Sequence, residues 1–137
     1  MTDTTPRLAV DASAVVALLI DPGATGDAAV AQMYQADLHA PALMPFEVAN
    51  VIRRRWSAGL LTPGAAEQAL DDLHALPVSL WAFEHLCAEM WTRRGALSAY
   101  DASYAAVAAL LGCRLLTADA KLAHAPGLDV EIQLLAS

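Results

Sequence analysis

The sequence has 137 residues, 57% hydrophobic and 17% charged, a composition that excludes a disordered chain and allows a substantial core. Its longest apolar run, Ala12 to Ile20, is shorter than the about 18 residues that a membrane span needs. The net charge of −7 argues against nucleic acid as a ligand, although carboxylates gathered around divalent cations would account for part of it. We therefore expect a single domain, residues 1–137, and nucleic acid stays open as a ligand.

The sequence offers carboxylates rather than soft metal ligands. Cys87 and Cys113 are its only cysteines, have no C-x-x-C spacing and are expected to be free, buried thiols. The four histidines are scattered, which argues against a zinc site built from them. The segment Met1 to Pro6 lacks the basic region and apolar core of a secretory signal, so we expect a cytoplasmic location.

Short apolar runs alternate with helical patterns along the chain. The predicted strands are 8–10, 38–40, 77–80, 115–117 and 130–134. The predicted helices are 14–20, 26–35, 45–58, 62–76, 84–94 and 98–111. Pro45 near a helix start and Gly59 after its end are typical of helix boundaries. The alternation predicts an α/β fold, a sandwich with a short, mainly parallel central sheet flanked by helices.

Four carboxylates stand where a predicted strand ends or a predicted helix begins: Asp11, Glu47, Asp101 and Asp119. Each has a structural explanation. Asp11 fits a helix N-cap, Glu47 a favourable charge in a first helical turn, Asp101 a capping box with Ser98, and Asp119 a turn. Parallel strands, however, bring their carboxyl ends to one edge of the sheet, where function gathers. The sequence therefore predicts that the four carboxylates meet.

Carboxylates that meet repel one another, and the repulsion raises their pKa values unless a cation compensates. Hard divalent cations such as Mg²⁺ and Mn²⁺ prefer oxygen ligands of this kind. Such a site can deprotonate a water molecule and neutralise the charge that develops on a phosphodiester. The reaction class indicated is metal-assisted phosphodiester hydrolysis.

Four segments carry a resemblance to a known family: VDAS at 10–13, PFEVANV at 45–51, LSAYDASY at 97–104 and TADAKL at 117–122. In this order they resemble the PIN-domain nucleases, and among these the VapC-type toxins of bacterial type II toxin–antitoxin pairs. The match covers nearly the whole chain. It implies a PIN-like three-layer sandwich and a Mg²⁺-dependent endoribonuclease toxin. It also implies a homodimer, an RNA substrate and a cognate antitoxin protein that restrains growth inhibition.

The resemblance also implies which residues act. The catalytic and metal-binding carboxylates would be Asp11, Glu47, Asp101 and Asp119. Ser13 and Thr117 match positions where the family has a supporting polar residue. Some relatives carry a further acid shortly after the position of Asp119, whereas Lys121 and Leu122 follow here, so one or two metal ions are both open.

Five of the eight cationic residues lie in two clusters, 53–55 and 93–94. The candidates for contacts with RNA phosphates are Arg53, Arg54, Arg93 and Arg94. The alternative is compensation of helix C-terminal dipoles, which fits both clusters. Tyr100 and Tyr104 flank Asp101, and one of them is expected to pack inward without a catalytic role.

Two other functions fit parts of the pattern. A signalling receiver domain also holds Mg²⁺ at strand ends, but it needs an adjacent acidic pair near the first strand and a lysine after a late strand. Here Asp11 stands alone, and Lys121 follows Asp119 in the same turn. The alternative that we retain is a catalytically inactive PIN-like protein-interaction module. The complete set of acids argues against it.

Overall fold

The computed structural model describes residues 5–135 as a five-stranded sheet flanked by seven helices. The strands are β1 (Arg7–Val10), β2 (Asp37–Pro41), β3 (Val78–Trp81), β4 (Arg114–Thr117) and β5 (Ile132–Leu134). The helices are α1 (Ala12–Ile20), α2 (Ala24–Met33), α3 (Met44–Ser57), α4 (Pro63–Ala75), α5 (Phe83–Trp91), α6 (Ala99–Leu111) and α7 (Ala120–Ala123).

The sheet has the strand order β3-β2-β1-β4-β5, and every pairing is parallel. The central strand β1 sets Leu8 opposite Leu38 of β2, and Val10 opposite Leu116 of β4. Strands β2 and β3 lie on one side of β1, and β4 and β5 lie on the other, so the order in which the strands are added switches sides between β1 and β4. In open parallel sheets this switch point leaves a crevice beyond the carboxyl ends of the strands. The predicted α/β sandwich is confirmed.

Helices α1 to α4 pack on one another, and α5 packs on α6. Helix α6 rests directly on β1, β2 and β4. Its buried residues are mostly small, with Ala102, Ala105, Ala106 and Ala108 at most 1% exposed, so the helix axis can lie close to the strands. Gly112 ends the helix with a left-handed backbone (φ 61°), which a residue with a side chain adopts at a cost.

Several predicted boundaries differ from the observed ones by one to three residues, as end positions usually do. Helix α7 was not expected, because a four-residue helix has no apolar periodicity to read. The last strand is Ile132–Leu134, shorter than expected. Cys87 is exposed rather than buried, Cys113 is partly buried, and both are free. The prediction that Met1 to Pro6 is not a secretory signal falls mostly on residues 1–4, which lie outside the described residues.

Among residues 5–135, none of the individual helices combines the length and the apolar character that a membrane span requires. Only α1 and α2 taken together reach that length and composition, and they are bent by 111° at their junction.

Candidate active site

Asp11 is held rigidly at the carboxyl end of β1. Its backbone amide donates to the Leu116 carbonyl of β4 (3.1 Å), which continues the sheet by one residue. Its Oδ1 accepts from the Ala14 amide (2.9 Å), so Asp11 is the N-cap of α1. Oδ1 also accepts from Ser13 Oγ (2.7 Å), and Oδ2 accepts from Thr117 Oγ1 (2.6 Å). The residue is only 5% exposed, and these donors fix its orientation.

The hydroxyls of Ser13 and Thr117 join the ends of β1 and β4. Ser13 Oγ accepts from the Ala118 amide (2.8 Å) and lies 3.1 Å from Thr117 Oγ1. Thr117 Oγ1 accepts in turn from the Asp119 amide (3.0 Å). The network therefore couples Asp11 to the turn that carries Asp119.

Asp119 lies two residues beyond β4 and is the N-cap of α7. Its Oδ1 accepts from the Lys121 amide (2.9 Å), and the residue is exposed. The turn expected from the sequence is thus the start of a short helix. The cap leaves the carboxylate at the carboxyl edge of the sheet.

Glu47 and Asp101 come from the first turns of α3 and α6. Glu47 Oε1 accepts from the Tyr104 hydroxyl (2.9 Å), which links the two helices. The Asp101 amide donates to Ser98 Oγ (3.1 Å), so Ser98 caps α6. Among the hydrogen bonds of the described residues, none runs from the Ser98 amide to the Asp101 carboxylate, so the reciprocal half of the capping box is not formed. The Asp101 side chain is therefore not committed to the cap.

Neighbouring carboxylate charges contribute to the raised pKa values of Asp11, Glu47 and Asp101. Burial raises the pKa of Asp11, against hydrogen bonds from Thr117, Ser13 and Ala14, and the charge of Asp119 raises it further. Burial and the charge of Asp119 also raise the pKa of Asp101.

The pKa of Glu47 is raised by burial, lowered by the Tyr104 hydrogen bond and raised by the charge of Asp101. Burial and the charge of Glu47 raise the pKa of Tyr104, so its hydroxyl stays a donor. Electrostatic interaction thus connects all four predicted acids at one edge of the sheet.

These carboxylates lack a cationic partner within residues 5–135, since every ion pair of that region lies elsewhere. Carboxylate oxygens whose charges interact, and that have no cation beside them among the described residues, fit a hard divalent ion. The arrangement is open, because in the described part of the chain no three acidic, histidine or cysteine side chains are gathered as a ready metal-ligand set.

Arg93 does not present its guanidinium to the solvent, contrary to its expected contact with RNA phosphates. Its Nε and Nη2 donate to the Asp129 carboxylate (2.8 and 3.2 Å). Its Nη1 donates to the carbonyl (2.7 Å) and the carboxylate (3.1 Å) of Glu89. The residue is 9% exposed. Arg93 thus links the segment before β5 to α5, and its positive charge is paired with the Asp129 and Glu89 carboxylates.

The other three arginines predicted to contact RNA are exposed. Arg94 donates to the Trp91 carbonyl (2.9 Å), and its guanidinium carbon lies 5.1 Å from the centre of the Trp91 ring. Arg53 donates from Nε to Asn50 Oδ1 (3.2 Å), and Arg54 lies beside it on α3. These guanidinium groups keep donors for an anionic ligand.

Tyr104 is the contributor that sequence reasoning missed. It was expected at most to pack inward, and it does, at 3% exposure, but it also donates to Glu47. Its position one helical turn after Asp101 was the available signal, because residues three apart share a helix face. The partner on α3 is 57 residues away in sequence, which spacing alone does not reveal.

Comparison with known proteins gives a concordant result. The PIN domain family model matches residues 8–128. Ribonuclease VapC3 of Mycobacterium tuberculosis is 37% identical over 119 residues, 87% of each chain. Ribonuclease VapC1 of the same organism is 36% identical over 126 residues, 91% of this chain and 95% of the relative.

Two solved structures share the fold. PAE2754 from Pyrobaculum aerophilum has a TM-score of 0.62 at 27% identity, over 93% of this chain and 83% of that one. VapC20 of Mycobacterium tuberculosis, a sarcin–ricin loop cleaving toxin, has a TM-score of 0.64 at 19% identity, over 91% of this chain and 98% of that one. The chain therefore belongs to the PIN-domain family and, within it, to the VapC type.

Proposed function

We propose that the protein is a metal-dependent endoribonuclease that hydrolyses RNA phosphodiester bonds. It acts as the toxin of a toxin–antitoxin pair in the cytoplasm, as a homodimer, and inhibits growth unless its cognate antitoxin protein binds it. The names of its relatives as VapC ribonucleases support the reaction class. The structural observation that supports the proposal is a series of charge interactions at the switch point of a parallel sheet, which link Asp119 to Asp11 and Asp101, and Asp101 to Glu47. Within residues 5–135 none of these carboxylates has a cationic partner.

In this proposal the metal-binding and catalytic carboxylates are Asp11, Glu47, Asp101 and Asp119. The cofactor is Mg²⁺, with Mn²⁺ as a substitute, because both prefer carboxylate oxygen. When bound, such an ion lowers the pKa of a water molecule and offsets the charge on the scissile phosphate. The chain's own contribution is to hold the carboxylates in place and to bring the RNA to them.

Ser13 and Thr117 serve as orienting groups. Each donates to a different oxygen of Asp11, so the carboxylate plane is fixed before any ligand binds. Fixing it beforehand reduces the reorganisation needed during the reaction. The exposed Arg53, Arg54 and Arg94 supply positive charge on a protein whose net charge is −7, and we assign them to RNA phosphates.

The test pairs growth with cleavage. We expect production of the wild-type chain to arrest growth, and the purified protein to cut RNA with Mg²⁺ but not after chelation. The double variant Asp11→Asn/Asp101→Asn should lose both effects. A matched control is Asp27→Asn/Asp71→Asn, which removes two exposed carboxylates of α2 and α4 and keeps the same net charge as the double variant.

Mapping of new RNA 5′ ends after induction would identify the substrate. Undiminished cleavage by the chelated double variant would refute the mechanism. A wild-type chain that neither arrests growth nor cuts RNA in Mg²⁺ would favour the non-catalytic interaction module. Co-purification with the product of an adjacent short reading frame tests the antitoxin.

A further inference from the structure

We propose that Tyr104 is a positioning residue, whose hydroxyl holds the Glu47 carboxylate beside Asp101 so that both address the same metal ion. The inference rests on the proposed function, since it concerns the same metal site. It adds a residue that neither the motif reading nor the family resemblance assigned.

The first support is the contact itself. The Tyr104 hydroxyl donates to Glu47 Oε1 at 2.9 Å and crosses from α6 to α3. Tyr104 and Asp101 are three residues apart on α6, so their side chains share one face of that helix. A carboxylate bound to Tyr104 is therefore drawn to the face of α6 that carries Asp101.

The second support is a difference in rigidity between the two partners. Tyr104 is 3% exposed in a helix packed on three strands, so its ring is fixed. Glu47 reaches the site through a longer side chain from a partly buried position. A hydrogen bond from the fixed Tyr104 hydroxyl favours one conformation of the longer Glu47 side chain. Glu47 then loses less conformational entropy when a ligand binds.

The third support is the chemistry of the donor. Asp11 receives hydrogen bonds from Ser13, Ala14 and Thr117, whereas the Glu47 carboxylate within residues 5–135 accepts a hydrogen bond from Tyr104 alone. An arginine or lysine in that place would neutralise Glu47 and compete with a cation. A neutral phenol leaves the negative charge in place and, among the described residues, leaves Glu47 Oε2 without a protein donor. Hydrogen-bonded partners of metal-ligating carboxylates have this orienting role.

The experiment titrates Mn²⁺ into RNA-free protein by calorimetry and separately measures thermal unfolding in chelator. Tyr104→Phe should weaken Mn²⁺ binding about tenfold, the lower range for loss of such a partner. The matched control is Tyr100→Phe on the same helix, 66% exposed, which should leave affinity unchanged. In a Glu47→Ala background Tyr104→Phe should cause no further loss, because a cycle of this kind isolates the pair.

Incorporation of 4-aminophenylalanine at position 104 keeps an N–H donor and should restore affinity to within about twofold of the wild type. A purely structural role would lower the melting temperature and leave Mn²⁺ affinity unchanged. The proposal is overturned if folded Tyr104→Phe binds Mn²⁺ like the wild type. It is also overturned if the amino analogue binds as weakly as Phe, or if the loss persists without Glu47.

These outcomes are separate from failure of the proposed function. If the wild type binds Mn²⁺ and cuts RNA while Tyr104→Phe matches it in both, only the role of Tyr104 is lost. If the wild type neither binds Mn²⁺ nor cuts RNA, the proposed function fails and the positioning role fails with it.

Discussion

The two halves of the candidate site are held in different ways. At the ends of β1 and β4, the Asp11 carboxylate accepts hydrogen bonds from Ser13 and Ala14 of α1 and from Thr117 of β4. The Asp11 amide donates to the Leu116 carbonyl of β4. On the α3–α6 side, Glu47 is held by one hydroxyl, and the Asp101 carboxylate is not committed to the cap of its helix. The strand half therefore resembles a preformed anchor. The helix half retains freedom to adjust around a ligand.

The difference follows from how each half is built. Neighbouring parallel strands place Asp11 and Thr117 in contact through the sheet's own hydrogen bonds. The helix half depends instead on how α6 packs against the sheet and on the reach of Glu47. Short side chains on strand ends are fixed by the backbone, whereas a longer side chain needs a dedicated partner. This contrast explains why Tyr104 matters on one side only.

The largest expected effect is the loss of cleavage in two carboxylate variants, which should differ from each other only in stability. Asp11→Asn and Asp101→Asn should each lower the cleavage rate about a hundredfold or more, because each removes charge that the reaction needs. Only Asp11→Asn should also destabilise the fold, by about 1–3 kcal/mol, since an amide NH₂ would face a buried donor. RNA cleavage and urea unfolding in chelator measure the two effects.

Equal destabilisation by the two variants would mean that the halves are equally rigid, contrary to the geometry. Asp27→Asn, in the exposed first turn of α2, supplies the baseline for loss of a surface carboxylate.

The next effect concerns donors rather than acids. Thr117→Val keeps the shape of a fully buried side chain and removes the donor to Asp11 Oδ2, so it should cost about 1–3 kcal/mol of unfolding free energy. Ser98→Ala removes the N-cap of α6 and should cost about 1 kcal/mol. Cleavage should fall in Thr117→Val beyond what its stability explains, because Asp11 loses its orientation.

Thermal unfolding and cleavage at a temperature where both variants are folded distinguish these effects. A Thr117→Val protein with wild-type cleavage would remove Thr117 from the site and leave it a core residue.

The sequence predicted the strand half of the site better than the helix half. Asp11, Ser13, Thr117 and Asp119 follow short apolar runs, and parallel pairing brings such ends together whatever the details of helix packing. Glu47 and Asp101 were also predicted, but their relation through Tyr104 depends on the contact between α3 and α6. That contact is set by tertiary packing between residues 57 apart, which local patterns do not encode.

The arginines illustrate the same limit. A pair of cations at a helix end looks alike at 53–54 and at 93–94. In the fold Arg93 is buried against Asp129, a residue 36 positions later, whereas Arg53 stays exposed. Sequence identifies which residues can bind phosphate, but burial decides which of them remain available.

A smaller effect is expected in the pH dependence of metal-free stability. The folded pKa values of Asp11, Glu47 and Asp101 are raised, foremost by burial. Their contribution to stability is then fully present below the ordinary carboxyl pKa of about 4 and is lost as pH rises through the raised values. Asp101→Asn should therefore be slightly more stable than the wild type at neutral pH in chelator, and no more stable at low pH.

Unfolding curves of the two proteins across this pH range give the difference in their free energies of unfolding. The contribution of groups with the opposite pH dependence cancels in this difference; one such group is Asp129, whose pKa is lowered by its hydrogen bond from Arg93. Added Mg²⁺ should stabilise the wild type more than Asp101→Asn, because a ligand stabilises the state that binds it. An Asp101→Asn protein less stable than the wild type at neutral pH would contradict the raised pKa.

The smallest expected effect concerns which arginines contact RNA phosphates. If Arg54 contacts one phosphate of single-stranded RNA, Arg54→Ala should lower the slope of log affinity against log salt by about 0.7, with the fold unchanged.

Arg93→Ala should show the opposite pattern of effects. It should leave the slope intact and destabilise the protein, because its buried guanidinium holds Asp129 and Glu89. Binding of RNA to the Asp101→Asn protein over a range of salt measures both without cleavage. A salt slope that responds to Arg93 and not to Arg54 would show that the segment before β5 opens when RNA binds, and would move the RNA path from α3 to α5.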